Sequence, residues 1–100
     1  MESTKVVFLG HSTGEVQLFT DDVKVGKMNI ALTKGRLTVF HTEVSPEYEG
    51  RGFAKLLLNQ LVSYAKENDL RIIPLCAYVN TQFRRYPAEY DDVWLKDWHQ

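Results

Sequence analysis

A single cysteine in one hundred residues excludes an internal disulfide, and one cysteine with three scattered histidines offers no metal-ligand spacing. Net charge is scarce as well. At −1 it supplies no general electrostatic pull on nucleic acid or on a membrane surface, so neither is expected as a partner, and any polyanion site must be local. No hydrophobic run approaches the length of a membrane span, and the N-terminal MESTKVVFLG lacks the charged start and long apolar core of a signal peptide. The expectation is therefore a cytoplasmic chain. Internal repeats and low-complexity segments are also missing.

What is present is ordinary for a globular protein: 44% apolar and 25% charged residues, enough for one domain spanning residues 1–100. The informative stretch runs from His41 to Tyr64. An alternating strand with Leu37 and Val39 ends in the polar His41-Thr42-Glu43, a turn with proline and glycine follows, and a helical pattern begins at once. Strand, tight turn and helix in this order leave free backbone N–H groups and the positive end of a helix dipole at the turn. Gly50 and Gly52 let the backbone approach an anion, and Arg51 and Lys55 add positive charge beside it. Two glycines ahead of a helix are also common turn chemistry, and both readings stand at this point. Two nucleotide motifs are excluded. There is no Gly-x-x-x-x-Gly-Lys-Ser/Thr, and Lys55 occupies the place of the third glycine of a dinucleotide fingerprint.

Elsewhere the pattern predicts a short β-rich run within Lys5 to Gly10, an edge strand or a docked tail. Strands follow over Glu15 to Thr20, Val25 to Leu32 and Arg36 to Val44, joined by turns at Asp21-Asp22 and Thr33-Lys34-Gly35. An amphipathic helix from Gly52 to Asn68 carries Phe53, Leu56, Leu57, Leu61, Tyr64 and Ala65 on its apolar stripe. A strand over Leu70 to Tyr78, with Ile72, Ile73 and Leu75 buried, then returns parallel to the preceding one, as a strand–helix–strand crossover requires. Pro74 marks a break in its ladder. A short helix capped by Asn80 or Thr81 reaches Tyr86, and a last helix from Ala88 to Trp98 aligns Tyr90, Val93, Trp94 and Trp98. This aromatic stripe is expected to pack on the domain itself, giving a monomer; the alternative is a dimer contact. The fold class is α/β (α+β), a mostly antiparallel sheet with one parallel pair, covered by a long helix.

The turn Glu49-Gly50-Arg51-Gly52-Phe53-Ala54 resembles the acyl-CoA loop of the GNAT acyltransferase superfamily, Gln/Arg-x-x-Gly-x-Gly/Ala. Gly52 and Ala54 match the two small positions, while Glu49 stands where the superfamily carries Gln or Arg. A closer resemblance is to minimal GNAT-like acetyltransferases of the YjdJ type, in His41 to Val44, Gly50 to Gly52 and Pro74 to Cys76, over roughly Gly14 to Val93. It implies an N-acetyltransferase that takes acetyl-CoA as cosubstrate, with Gly50, Arg51, Gly52, Phe53, Ala54 and Lys55 at the pyrophosphate and the backbone near Glu43 and Val44 at the thioester carbonyl. It further implies that Asn80 lies near the pantetheine arm, that Tyr86 stands near the general-acid position, and that Cys76 is catalytic.

From the residues themselves, His41 is placed where a strand ends beside the expected cleft, and an imidazole there could accept a proton. Cys76, on the parallel neighbour, is expected close to it, where a thiol can ionise and serve as nucleophile or base. The plainer alternatives are a packed strand histidine and a small buried hydrophobe. The acceptor expected is an amine, on a small molecule or a protein. The rival is a CoA-binding or protein-interaction module without turnover.

Overall fold

The computed structural model describes residues 1–96. Four strands run in sequence as an antiparallel meander: β1 (Glu2–Phe8), β2 (Thr13–Thr20), β3 (Val23–Thr33) and β4 (Arg36–Val44). Its tight hairpins follow from local chemistry. Asp21 and Asp22 both take positive φ, as do Lys34 and Gly35, the geometry whose twist matches that of paired strands. A 3₁₀ turn over Pro46–Tyr48 leads to α1 (Phe53–Glu67), and β5 (Arg71–Pro74) then pairs parallel to β4 at the sheet edge. The expected mostly antiparallel sheet with one parallel pair and a covering helix is the one observed, and the run read as an edge strand or a docked tail is the edge strand β1.

The inner face buries Val16, Leu18, Met28, Ile30, Leu37, Val39 and Ile72 against Leu57, Leu58, Leu61 and Ala65 of α1. Leu56 and Tyr64 sit at the flank of that stripe, half-buried. On the opposite face, Glu15 accepts from Lys24 at 2.6 Å and from Gln17 at 2.9 Å, with Lys27 3.6 Å away; these partners pull its carboxyl down to about 2. Lys27 also reaches Glu43 at 3.4 Å.

Two irregularities shape the functional end. Between the Asn29–His41 and Ile30–Val39 pairs one residue, Phe40, is extra, and such a bulge reverses the inward and outward alternation beyond it. The second concerns β5, which stops at Pro74, opposite Val39, and does not continue to Tyr78. Proline has no N–H to extend the ladder. Leu75, expected to be buried, is therefore 46% exposed, and the Cys76 N–H makes a last bond to the Val39 carbonyl at 2.9 Å before α2 (Ala77–Arg85) begins. Beyond the Val39–Pro74 pair, β4 continues with β3 on one side and no strand on the other.

The C-terminal segment differs from the expected long helix. Only Pro87–Tyr90 (α3) is helical; Trp94 then forms a parallel bridge with Ile72, whose N–H and carbonyl bond Val93 and Leu95 at 2.6 and 2.9 Å. Tyr90 and Val93 are buried and Trp94 packs 5.7 Å from Phe83, so this part of the stripe lies on the domain itself. Trp98 falls outside the described residues. Ending the chain after Asp92 is expected to cost about 3 kcal/mol or more of unfolding free energy, through the lost Val93 and Trp94 packing and the two lost hydrogen bonds. Thermal or urea unfolding measures it, and sedimentation checks that both species are monomeric; a dimer that dissociates on truncation reverses the expectation.

Candidate active site

At Gly52 the helix α1 opens in the left-handed region (φ 78°), with no side-chain cap and no acidic residue in its first turn. The first N–H to bond back belongs to Leu56, at 3.4 Å from the Gly52 carbonyl, which leaves those of Phe53, Ala54 and Lys55 without a helical partner. Gly50 also has positive φ (82°), and at both glycines the place of a Cβ is open space. An acid beside these N–H groups would have served as a cap. Its absence keeps the terminus available to an anion from outside.

This terminus faces a cavity of about 400 Å³ walled by the end of β4 that β5 leaves uncovered. Thr42, Glu43 and Val44 line one side, and Glu49, Gly50, Gly52, Phe53, Ala54 and Lys55 the other, with Tyr48 and Tyr78 closing it. The ladder sets the direction of the strand's donors. Ser45 donates to the Val25 carbonyl at 2.8 Å, and alternation from there turns the Glu43 N–H toward β3 and those of Val44 and Thr42 toward the gap that β5 leaves.

The two cations separate. Arg51 lies over the Tyr48 ring, 5.0 Å from its centroid, and lines a different depression with Asp21 and Glu47. Lys55 is the sole cationic residue lining the cavity among the described residues, while the Glu43 carboxylate is drawn to Lys27 on the outer face. The Lys55 ammonium donates to the Tyr90 hydroxyl at 3.0 Å and lies 4.0 Å from Glu89. That hydrogen bond, aided by Glu89, holds its pKa above the ordinary lysine value despite some desolvation. Burial pushes the Tyr78 phenol up as well.

Cys76 and His41 do not meet as expected. The Phe40 bulge puts Thr42 on the inner side, where its hydroxyl lies 3.1 Å from the Cys76 sulfur. His41, one residue earlier and paired with Asn29, is directed to the outer face and is exposed. Cys76 itself is buried at the N-cap of α2. Neither Asn80 nor Thr81 caps this helix. Asn80 sits one turn in, its amide nitrogen 3.3 Å from the Pro74 carbonyl and its oxygen accepting from Arg84 at 2.7 Å, and it does not line the cavity. Tyr86, at the C-cap, is half-exposed with the Lys55 ammonium 5.9 Å from its ring.

Thr42, Tyr48 and Tyr78 line the site without having been singled out in the sequence. Starting the helix at Ala77 would have put Tyr78 in its first turn, near Cys76; for Thr42 no sequence signal exists, because only the bulge turns it inward.

Comparison with known proteins gives these features a common context. No curated protein sequence matches the chain. Among solved structures, a GCN5-like protein of Staphylococcus aureus is 25% identical (TM-score 0.64) over 96% of this chain and 92% of its own. The ribosomal-protein-S18-alanine N-acetyltransferase of Escherichia coli is 17% identical (TM-score 0.65) over 81% of this chain, which spans 54% of that protein's length. PaiA N-acetyltransferase of Thermoplasma acidophilum, in complex with coenzyme A, is 15% identical (TM-score 0.59), with 78% of this chain and 50% of that one covered. The last two likenesses concern the fold. Sequence evidence adds the rest: the GCN5-related N-acetyltransferase family model matches residues 15–93, from β2 through the docked C-terminal segment, and the chain belongs to that family.

Proposed function

We propose that this chain binds acetyl-CoA at the Gly50–Ala54 turn and transfers the acetyl group to an amine. The observation that carries this is the uncapped N-terminus of α1, opening with its two positive-φ glycines onto a cavity walled by a strand end whose Thr42 and Val44 N–H groups face the gap left by β5. Phosphates suit the Phe53, Ala54 and Lys55 N–H groups and the Lys55 ammonium. Donors at Val44 and Thr42 suit the thioester carbonyl, whose oxygen gains negative charge as the amine attacks. The Pro74–Cys76 and His41–Val44 motifs favour the YjdJ-type branch of the family, and the chain acts as one domain in the cytoplasm.

Cys76 and His41 flank the β4–β5 gap from opposite faces of β4. Cys76 acts on the inner side, with Thr42 beside its sulfur; as nucleophile it forms an S–C bond to the acetyl carbon while the bond to the CoA sulfur breaks and the thiol proton passes to the departing CoA sulfur, and the neutral amine then forms its N–C bond as the Cys76 S–C bond breaks, its surplus proton returning to the Cys76 sulfur. His41 takes the proton that a protonated amine sheds on its way in from the outer side, leaving the neutral amine to attack. The test is calorimetric titration with acetyl-CoA followed by a product assay over a panel of small amines and peptide N-termini. Binding with acetylated product supports transfer; binding without product for any acceptor favours a CoA-binding module; no binding removes the site.

A further inference from the structure

The Lys55 side chain is long, flexible and the sole cation along the cavity among the described residues, yet it is held in one place by the C-terminal segment. Tyr90 is 2% exposed, its ring stacked on Phe83 with centroids 4.7 Å apart, and its hydroxyl accepts from the Lys55 ammonium at 3.0 Å. The same ammonium lies 5.7 Å from the Tyr90 centroid and 5.9 Å from that of Tyr86, with Glu89 at 4.0 Å. All three partners come from the end of α2 and from α3, the stretch leading to Val93–Leu95 on the edge of β5. We propose that Tyr90 is a positioning residue for anion recognition, holding Lys55 at the mouth of the α1 turn and so coupling docking of the C-terminal segment to affinity for the phosphates of coenzyme A.

The physical case is preorganisation. A free lysine must give up rotamer freedom when it meets a phosphate, and here that ordering is already in place in the folded chain. Among the described residues no other cation lines the cavity, which makes the placement of this single charge decisive. A hydroxyl is suited to the task. Unlike a carboxylate it holds the ammonium without neutralising it, and the charge stays available to a ligand. Glu89, the nearest carboxylate, stands at the limit of ion-pair distance.

This rests on the proposed acetyl-CoA site, and its test separates the two. Acetyl-CoA is titrated calorimetrically into the wild-type chain, Tyr90→Phe, Lys55→Met and the double variant. Tyr90→Phe keeps the ring stacking on Phe83, and its thermal midpoint should stay close to wild type. Its Kd should rise about three- to tenfold, the scale of one long side chain's ordering. Lys55→Met should weaken binding by about tenfold or more, the scale of a charge-assisted contact. The double variant should match Lys55→Met alone, because Tyr90 has nothing left to position. The Lys55 ammonium, followed by NMR without ligand, should titrate lower in Tyr90→Phe. An unchanged Kd in Tyr90→Phe, or losses that multiply in the double variant, overturns the role of Tyr90 and leaves the site intact. Failure of the wild-type chain to bind removes the site and the coupling together.

Discussion

A folded Cys76→Ala variant is expected to keep nearly full affinity for acetyl-CoA and to lose turnover by about two orders of magnitude or more, the usual scale for a nucleophile or base. Cys76 is buried beside the Thr42 hydroxyl at the end of the β4–β5 pairing, and it does not line the cavity at the α1 turn. Its loss should therefore spare binding. A cysteine that only fills space makes a different forecast: a small cavity, a modest drop in stability and an unchanged rate per folded molecule. Rate and Kd measured on the same folded sample decide between them, and full activity there ends the catalytic role. His41→Ala adds a second reading. Because His41 and Thr42 take opposite faces of β4, His41 and Cys76 act in separate places, and their losses should multiply in the double variant; coincident losses would mean that they work as one unit.

Replacing Gly52 with valine is expected to abolish acetyl-CoA binding while the fold persists. Gly52 is exposed and holds φ at 78°, where a side chain costs about 1–2 kcal/mol and a β-branched one is most strained. Its side chain would extend into open space at the start of α1, on the lining of the cavity where an anion must approach. Gly35→Val is the control, since Gly35 has nearly the same φ (80°) in the β3–β4 hairpin and lies outside the cavity lining. Comparable destabilisation in both, with binding lost only in Gly52→Val, assigns the effect to the site. Unchanged affinity in folded Gly52→Val removes the turn from consideration.

The sequence was most readable where punctuation and periodicity agreed. The strand Arg36–Val44 has its observed bounds because Lys34-Gly35 and Pro46 fence it, and α1 lies within a residue of expectation because its apolar stripe is long. Failures occurred where an apolar run has no period of its own. Leu70 to Tyr78 reads as one strand, but Pro74 ends the ladder and the next residues start a helix, so Leu75 is outside and Cys76 is a cap. The inward turn of Thr42 and outward turn of His41 follow from one extra residue at Phe40, which no local preference announces. Trp94 spaced helically from Tyr90 looked like a helix face, and tertiary pairing with Ile72 overrode it.

The closure of β5 by Val93–Leu95 also governs how copies of this chain can associate. Among the described residues, the outer edge of β1 is the one full strand edge left open, because β5 is bonded to its own chain through Ile72 and the free stretch of β4 faces the cavity. A sheet with two free edges can add copies without end. With one, two chains can join β1 to β1 about a two-fold axis, and both remaining edges are then closed, so growth by strand pairing stops at a pair and cannot run on into a fibre.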